Sequence, residues 1–274
     1  MTINCKGRLI DLSTPKVMGI LNITPDSFFS ESRTQSEEKI LQTVERMLKE
    51  GATFIDIGGY SSRPGATDIN AEEELHRVIP AIELILKHHP DTLLSVDTFR
   101  AEVASGGLKA GAALINDISA GSLDEKMMQV VSEFQVPYIM MHMRGNPQNM
   151  QEFNEYKDLT QEVIYYFSEK IAEARSYGIN DLILDPGFGF SKNIAQNFEF
   201  LNKMELLQTL ELPILAGLSR KSTIFKTLNC TPQEALNGTT VLNTIALQKG
   251  AGILRVHDVR EAMEAVELVS HLKN

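Results

Sequence analysis

The chain has 274 residues, 43% of them hydrophobic and 23% charged, which suits one domain of the size of an α/β barrel. Its formal net charge is −10 and it carries no basic tract, so binding to a phosphate backbone is excluded as its main task and any anionic ligand must be met by a few local cations. It has no run of about 18 consecutive apolar residues, no charged-then-apolar leader pattern and no metal spacing between Cys5 and Cys230; the expectation is a cytoplasmic protein with free thiols that binds neither membrane nor nucleic acid.

Residues 2–12 alternate apolar and polar across Lys6-Gly7 and predict a short hairpin. From residue 17 onward one unit recurs: an apolar run, a polar loop, an amphipathic stretch. The runs predict strands at Val17–Ile23, Phe54–Gly58, Leu93–Asp97, Ala113–Ile118, Tyr138–His142, Leu182–Asp185, Pro213–Leu218 and Ile253–His257, most of them nearly continuous in apolar residues, as strands covered on both faces are. Between them, residues 36–50 place Ile40, Leu41, Val44, Met47 and Leu48 on one helical face, with Thr34 and Glu37 as a capping box and Gly51 as a stop. Residues 71–88 form a second helix that Pro80 is expected to kink or divide. The longest periodic stretch, 155–177, ends at Gly178. Thr231-Pro232-Gln233-Glu234 reads as a cap, a first-turn proline and a capping-box Glu, and Asp258 with Glu261 opens the last helix in the same way. Eight alternations of strand and helix predict an α/β fold, a (β/α)8 TIM barrel behind an N-terminal β-hairpin, with residues 1–274 as a single domain. An open doubly wound sheet is the alternative.

Strand ends of such a barrel converge on one rim, and here they are polar. They carry Asn22; Gly58 to Gly65, with Ser61, Ser62 and Arg63; Asp97-Thr98; Asn116-Asp117; Met140-Met141-His142; Asp185; Ser219-Arg220-Lys221-Ser222; and Arg255-Val256-His257-Asp258. Each group has an ordinary use. Asp185, before Pro186-Gly187, can cap a turn, and Asp97 can cap the following helix. Gathered in one space they are costly unless something pairs with them, and together they describe a ligand. Asp97, Asn116 and Asp185 suit a flat heterocycle rich in N–H groups, with Lys221 donating to a ring carbonyl or nitrogen. Met140 offers an apolar face and Arg255 a planar one. Asn22, Arg63, Arg255 and His257 suit phosphate oxygens, and a helix starting near Lys221-Ser222 suits a carboxylate.

The motifs Asn22-Ile23-Thr24-Pro25-Asp26-Ser27-Phe28, Asp56-Ile57-Gly58-Gly59, Ser61-Ser62-Arg63-Pro64-Gly65, Ser95-Val96-Asp97-Thr98, Asn116-Asp117, Met141-His142-Met143, Asp185-Pro186-Gly187-Phe188-Gly189-Phe190, Ser219-Arg220-Lys221-Ser222 and Arg255-Val256-His257-Asp258 run in order along nearly the whole chain. In this they resemble the dihydropteroate synthase family. The resemblance implies an eight-stranded barrel of folate biosynthesis that joins 6-hydroxymethyl-7,8-dihydropterin diphosphate to 4-aminobenzoate and releases pyrophosphate. It also implies Mg2+, a homodimer and a target of sulfonamides. By position, Asp97, Asn116, Asp185 and Lys221 would bind the pterin, with Met140 and Arg255 enclosing its faces. Asn22 would ligate Mg2+. Ser61, Ser62, Arg63 and His257 would hold the diphosphate and cover the site, and Ser222, Phe190 and Pro64 would shape the aminobenzoate pocket. Arg63, Lys221, Arg255 and His257 carry the expected catalytic roles.

Two departures stand out. Tyr60 takes the place of an acidic or amide residue before the second loop, where Ser62 replaces a Thr, and Phe29-Ser30-Glu31-Ser32 lacks the acidic residue usual in the first loop, leaving Glu31 as its only nearby substitute. The rival readings are a pterin-dependent methyltransferase barrel, which has no need of the Ser-Ser-Arg-Pro-Gly loop or the Arg-Val-His cluster, and a pterin-binding protein without turnover.

Overall fold

In a computed structural model, which describes residues 1–23, 33–61 and 68–272, the chain begins with two antiparallel strands, β1 (Thr2–Cys5) and β2 (Arg8–Asp11). Lys6 and Gly7 both take positive φ, 54° and 79°, the geometry of a two-residue hairpin turn, and Asn4 Oδ1 accepts from the Gly7 N–H at 2.8 Å. The hairpin's apolar side chains, Ile3, Cys5 and Ile10, are buried with Leu12 against Met18, Phe54, Leu93, Leu114, Ile139, Ile183, Leu215 and Ile253. Those eight are inward residues near the start of each barrel strand, so the hairpin closes the floor of the barrel.

The barrel strands are β3 (Lys16–Asn22), β4 (Phe54–Gly58), β5 (Leu93–Asp97), β6 (Leu114–Asp117), β7 (Tyr138–Met141), β8 (Leu182–Asp185), β9 (Ile214–Ala216) and β10 (Ala251–Val256). All neighbouring pairs are parallel, and β10 pairs with β3 to close the ring. This excludes the open sheet. Side chains alternate along each strand. One set fills the floor and continues up to the rim; the other packs outward on the helices, as Ile55, Val96, Ile115 and Leu184 do.

Around the strands run α1 (Arg33–Lys49), α2 (Ala71–His88), α3 (Ala101–Lys109), α4 (Met127–Phe134), α5 (Leu159–Ser176), α6 (Ile194–Lys203), α7 (Ser222–Thr227), α8 (Leu236–Gln248) and α9 (Val259–Ser270). Among the described residues no helix is long and apolar enough to cross a membrane.

Several boundaries differ from expectation for physical reasons. α1 starts at Arg33, ahead of the predicted cap, and the side chain of Thr34 lies outside the described residues. Pro80 does not divide α2, which is capped by Asn70 accepting from Glu73 N and buries Val78, Ala81, Ile82 and Ile85. That apolar stripe outweighs the one backbone hydrogen bond the proline removes. The Thr231–Glu234 box forms, with Thr231 N and Oγ1 both donating to Glu234 Oε2 at 2.9 and 2.8 Å, but it closes a turn, and α8 begins two residues later. Asp258 stands at the N-cap of α9 but makes no cap bond there; both its oxygens go to Arg220.

Candidate functional site

Alternation decides which residues reach the mouth. In β5, Leu93 is on the floor, so Ser95 and Asp97 also point inward; the same parity sends Asp56 and Gly58 of β4, Asn116 of β6 and Asp185 of β8 to the inside. On β10 it selects Arg255 and, one step beyond the strand, His257.

At the centre is Arg255. Its Nε donates to Asp56 Oδ2 and its Nη2 to Asp97 Oδ2, both at 2.5 Å, and Asn116 Nδ2 donates to the same Asp56 oxygen at 2.9 Å. Asp56 is 0% exposed, and its second oxygen, Oδ1, has no partner among the described residues. A buried carboxylate is tolerable only with such pairing. Asp56 lies within one of the motifs but is not among the expected site residues, because an Asp inside an apolar strand gives no sign of which cation it faces. Burial pulls the Arg255 guanidinium down, but Asp56 and Asp97 more than offset it and hold the group charged. Burial pushes Asp97 up to about 7; Arg255 opposes this and neighbouring Asp56 reinforces it.

Asp185 closes the turn that the sequence allowed and keeps one oxygen for the mouth. Oδ1 accepts from Gly187 N at 2.8 Å, closing the Asp-Pro-Gly turn. Oδ2 stays at the mouth: Oδ2 and Lys221 Nζ lie 3.9 and 3.8 Å from where a Cβ on Gly217 would stand, so the glycine leaves a cradle that a larger residue would fill. Lys221 Nζ also donates to Phe188 O and sits 4.9 Å above the Phe190 ring. Burial raises Asp185 above the usual carboxylate value, with Lys221 and the Gly187 N–H opposing, and brings Lys221 down to about 8, with Asp185 opposing.

Asn22 is at the mouth too: its Oδ1 and Asp97 Oδ2 are 3.5 and 3.7 Å from the Cβ position of Gly58. No group of three or more His, Cys, Asp or Glu side chains able to hold a metal exists among the described residues. An inward amide oxygen beside carboxylates fits a Mg2+ that brings most of its ligands with a phosphate, since this ion keeps water and substrate oxygens in its shell.

Met140 is not at the mouth. It pairs in register with Leu184, points outward and is fully buried among side chains facing the helices. Met141, level with Asp185, points inward and packs with Ile118, Met143, Met150, Phe99 and Phe190 beside the site. The expectation slipped by one residue, which in a strand is a change of face. Ser61 is half-buried after β4, and Ser222 is the first residue of α7. Ser62, Arg63, Pro64 and the first-loop Glu31 lie outside the described residues.

Sequence reasoning also missed Lys192, only 2% exposed. Its Nζ donates to Gly187 O at 3.1 Å and Phe190 O at 3.2 Å, and is 3.0 Å from His142 Nδ1. It thereby ties together the turn that carries Asp185 and Phe190. Burial brings it down to about 7, with Asp185 opposing. His142 is held well below its ordinary value by burial and by Lys192.

Comparison with known proteins accords with this geometry. The family model "Pterin binding enzyme" matches residues 18–257. The dihydropteroate synthase of Escherichia coli K12 is 44% identical over 271 residues, covering 98% of this chain and 95% of the relative. Among solved structures, a Yersinia pestis dihydropteroate synthase with a sulfonamide drug complex superposes with a TM-score of 0.91 at 43% identity, covering 100% of this chain and 99% of the other. The Xanthomonas albilineans enzyme in complex with 7,8-dihydropteroate superposes with a TM-score of 0.89 at 36% identity, with the same coverage.

Proposed function

The chain belongs to the dihydropteroate synthase family, and from that premise we propose how its own residues carry out the reaction: 6-hydroxymethyl-7,8-dihydropterin diphosphate and 4-aminobenzoate become 7,8-dihydropteroate and pyrophosphate, a step of folate biosynthesis. The observation that carries this reading is the single mouth that the Arg255–Asp56–Asp97–Asn116 network shares with the side chains of Asp185 and Lys221.

The pterin presents N–H donors to Asp97 and Asp185 and a ring acceptor to Lys221. Those donors stabilise the ionised carboxylates and bring back down the values that burial has raised. One N–H of the Asn116 amide is taken by Asp56, which leaves its second N–H and its amide oxygen to meet the ring. Met141, in place of Met140, supplies the apolar wall, and Phe190 with Ser222 bounds the aminobenzoate. His257 meets the diphosphate, and Arg63, which lies outside the described residues, is proposed to join it. Asn22 would hold Mg2+ together with phosphate oxygens, and the ion would offset the charge of the leaving group.

An arylamine is a weak nucleophile and a neutralised diphosphate is a good leaving group, so the C–O bond at the pterin methylene breaks ahead of attack. Asp97 and Asp185 stabilise the cationic methylene electrostatically. The amine nitrogen then bonds to that carbon and gives up a proton. Pyrophosphate release on mixing the protein, Mg2+ and the two substrates tests the reaction. A secondary isotope effect near unity at the methylene would rule out the dissociative order in favour of concerted displacement.

The protein is also proposed to be a homodimer, with exposed Phe198, Leu206, Leu228 and Val241 on or beside α6–α8 as apolar surface in need of cover. Sedimentation tests this. Sulfonamides are proposed to compete with aminobenzoate, as the drug-bound Yersinia pestis relative suggests. Free Cys5 and Cys230 suit a reducing cytoplasm.

A further inference from the structure

We propose that Ser219 is a positioning residue that sets the tautomer of His257, so that the imidazole presents Nε2–H to the leaving diphosphate; this rests on the reading of His257 given above.

The loops after β9 and β10 are stapled side by side. Arg220 donates from Nε and Nη2 to the two Asp258 oxygens, each at 2.8 Å, and one residue earlier in both loops Ser219 Oγ lies 2.9 Å from His257 Nδ1. The His257 backbone N–H donates to the same Ser219 Oγ at 3.1 Å. Ser219 is buried, at 4% exposure.

A serine hydroxyl has one proton and two lone pairs. The backbone N–H of His257 takes one lone pair. If Nδ1 carried a proton it would take the other, and the hydroxyl proton would need a third partner. Ser219 Oγ has no further partner among the described residues, and the carboxylate of Asp258, next to His257 in the chain, is held by Arg220. The arrangement that satisfies the Ser219 hydroxyl has its O–H donating to an unprotonated Nδ1. The ring proton is then on Nε2, at the end of the imidazole away from the staple. A phosphate oxygen accepts a hydrogen bond, so this is the tautomer that binds a leaving diphosphate; the other would turn a lone pair toward negative charge. Buried hydroxyls do not stay half satisfied without cost, which makes the arrangement stable.

The test uses the full chain with 15N-labelled histidine and long-range 1H–15N correlation, which separates protonated from unprotonated ring nitrogens. There are six histidines, and the His257→Asn spectrum assigns the signals. The wild type is expected to show unprotonated Nδ1 and protonated Nε2 at His257. In Ser219→Ala these signals move toward a tautomer mixture, and Ser219→Thr, which keeps the hydroxyl, restores them. In parallel, kcat/KM for the pterin diphosphate falls about tenfold in Ser219→Ala, the scale of one lost hydrogen bond, while KM for 4-aminobenzoate holds. A protonated Nδ1 in the wild type, or a Ser219→Ala spectrum identical to wild type, overturns the proposal. So does a tautomer shift without a kinetic change. Because the spectra need no substrate, an inactive wild type would count against the reaction assigned above while leaving the tautomer legible.

Discussion

Asp185→Asn separates binding from folding at this site. The asparagine keeps one carbonyl oxygen, which accepts from Gly187 N as Asp185 Oδ1 does at 2.8 Å, so the Asp-Pro-Gly turn is preserved. Its other atom becomes an NH2 where Oδ2 stood at the mouth, so a donor faces the N–H donor of the pterin. Losing a charged hydrogen bond to a pterin N–H costs about 2–3 kcal/mol, which is about 30- to 150-fold in Kd. Stability changes little, because the relief of a desolvated carboxylate and the loss of its attraction to Lys221 act in opposite directions. The pH dependence follows from the same shift. Burial raises Asp185 above 3.8, so the folded chain binds this proton more tightly than the unfolded one. Its stabilising contribution is therefore present at low pH and lost as pH rises through the raised value, while pterin affinity moves the other way and weakens as pH falls through it. Titration calorimetry with a pterin analogue, alongside thermal unfolding, reads both. Unchanged affinity in an Asp185→Asn protein that melts like wild type would refute the assignment.

Other expectations follow from the same geometry. Asp56→Asn breaks a buried pairing with Arg255 and should lower the melting temperature on the order of 10 °C; an unchanged melt would mean that Asp97 alone suffices to hold Arg255. Lys192, brought from 10.5 to about 7 by burial, binds its proton less tightly in the folded state than in the unfolded one, so wild-type stability gains a term as pH rises from about 7 to about 10.5. Lys192→Met should remove that term, and denaturant unfolding at the two ends of the window would show an unchanged slope if the argument is wrong. Met140→Ala should cost about 2–5 kcal/mol of stability and leave pterin affinity intact, whereas Met141→Ala should weaken both; weaker pterin binding in Met140→Ala alone would restore the original expectation.

Much of the molecule is legible in the chain because local rules and global fold agree. Apolar runs too short for helices, set between amphipathic stretches, have few ways to bury both faces, and a closed parallel barrel is one of them. The hairpin turn, the strand order and the polar strand ends follow from the residues at hand. What local pattern does not carry is phase. A shift of one residue moved Met140 outward and Met141 inward, and continuous apolar strands give no alternation from which to read the difference. Nor does it carry pairing across the barrel. Arg255 and Asp56 are 199 residues apart and meet only when β10 closes the ring on β3, and Lys192 and His142, 50 apart, meet only when β7 and β8 pair. Arg220 and Arg255 look alike as cations after apolar runs, yet one is drawn outward to Asp258 and the other inward to two carboxylates. The sequence by itself determined which chemical groups arrive at the rim. The tertiary structure decided which of them face one another, because only strand pairing and the closure of the barrel bring distant side chains such as Arg255 and Asp56 together.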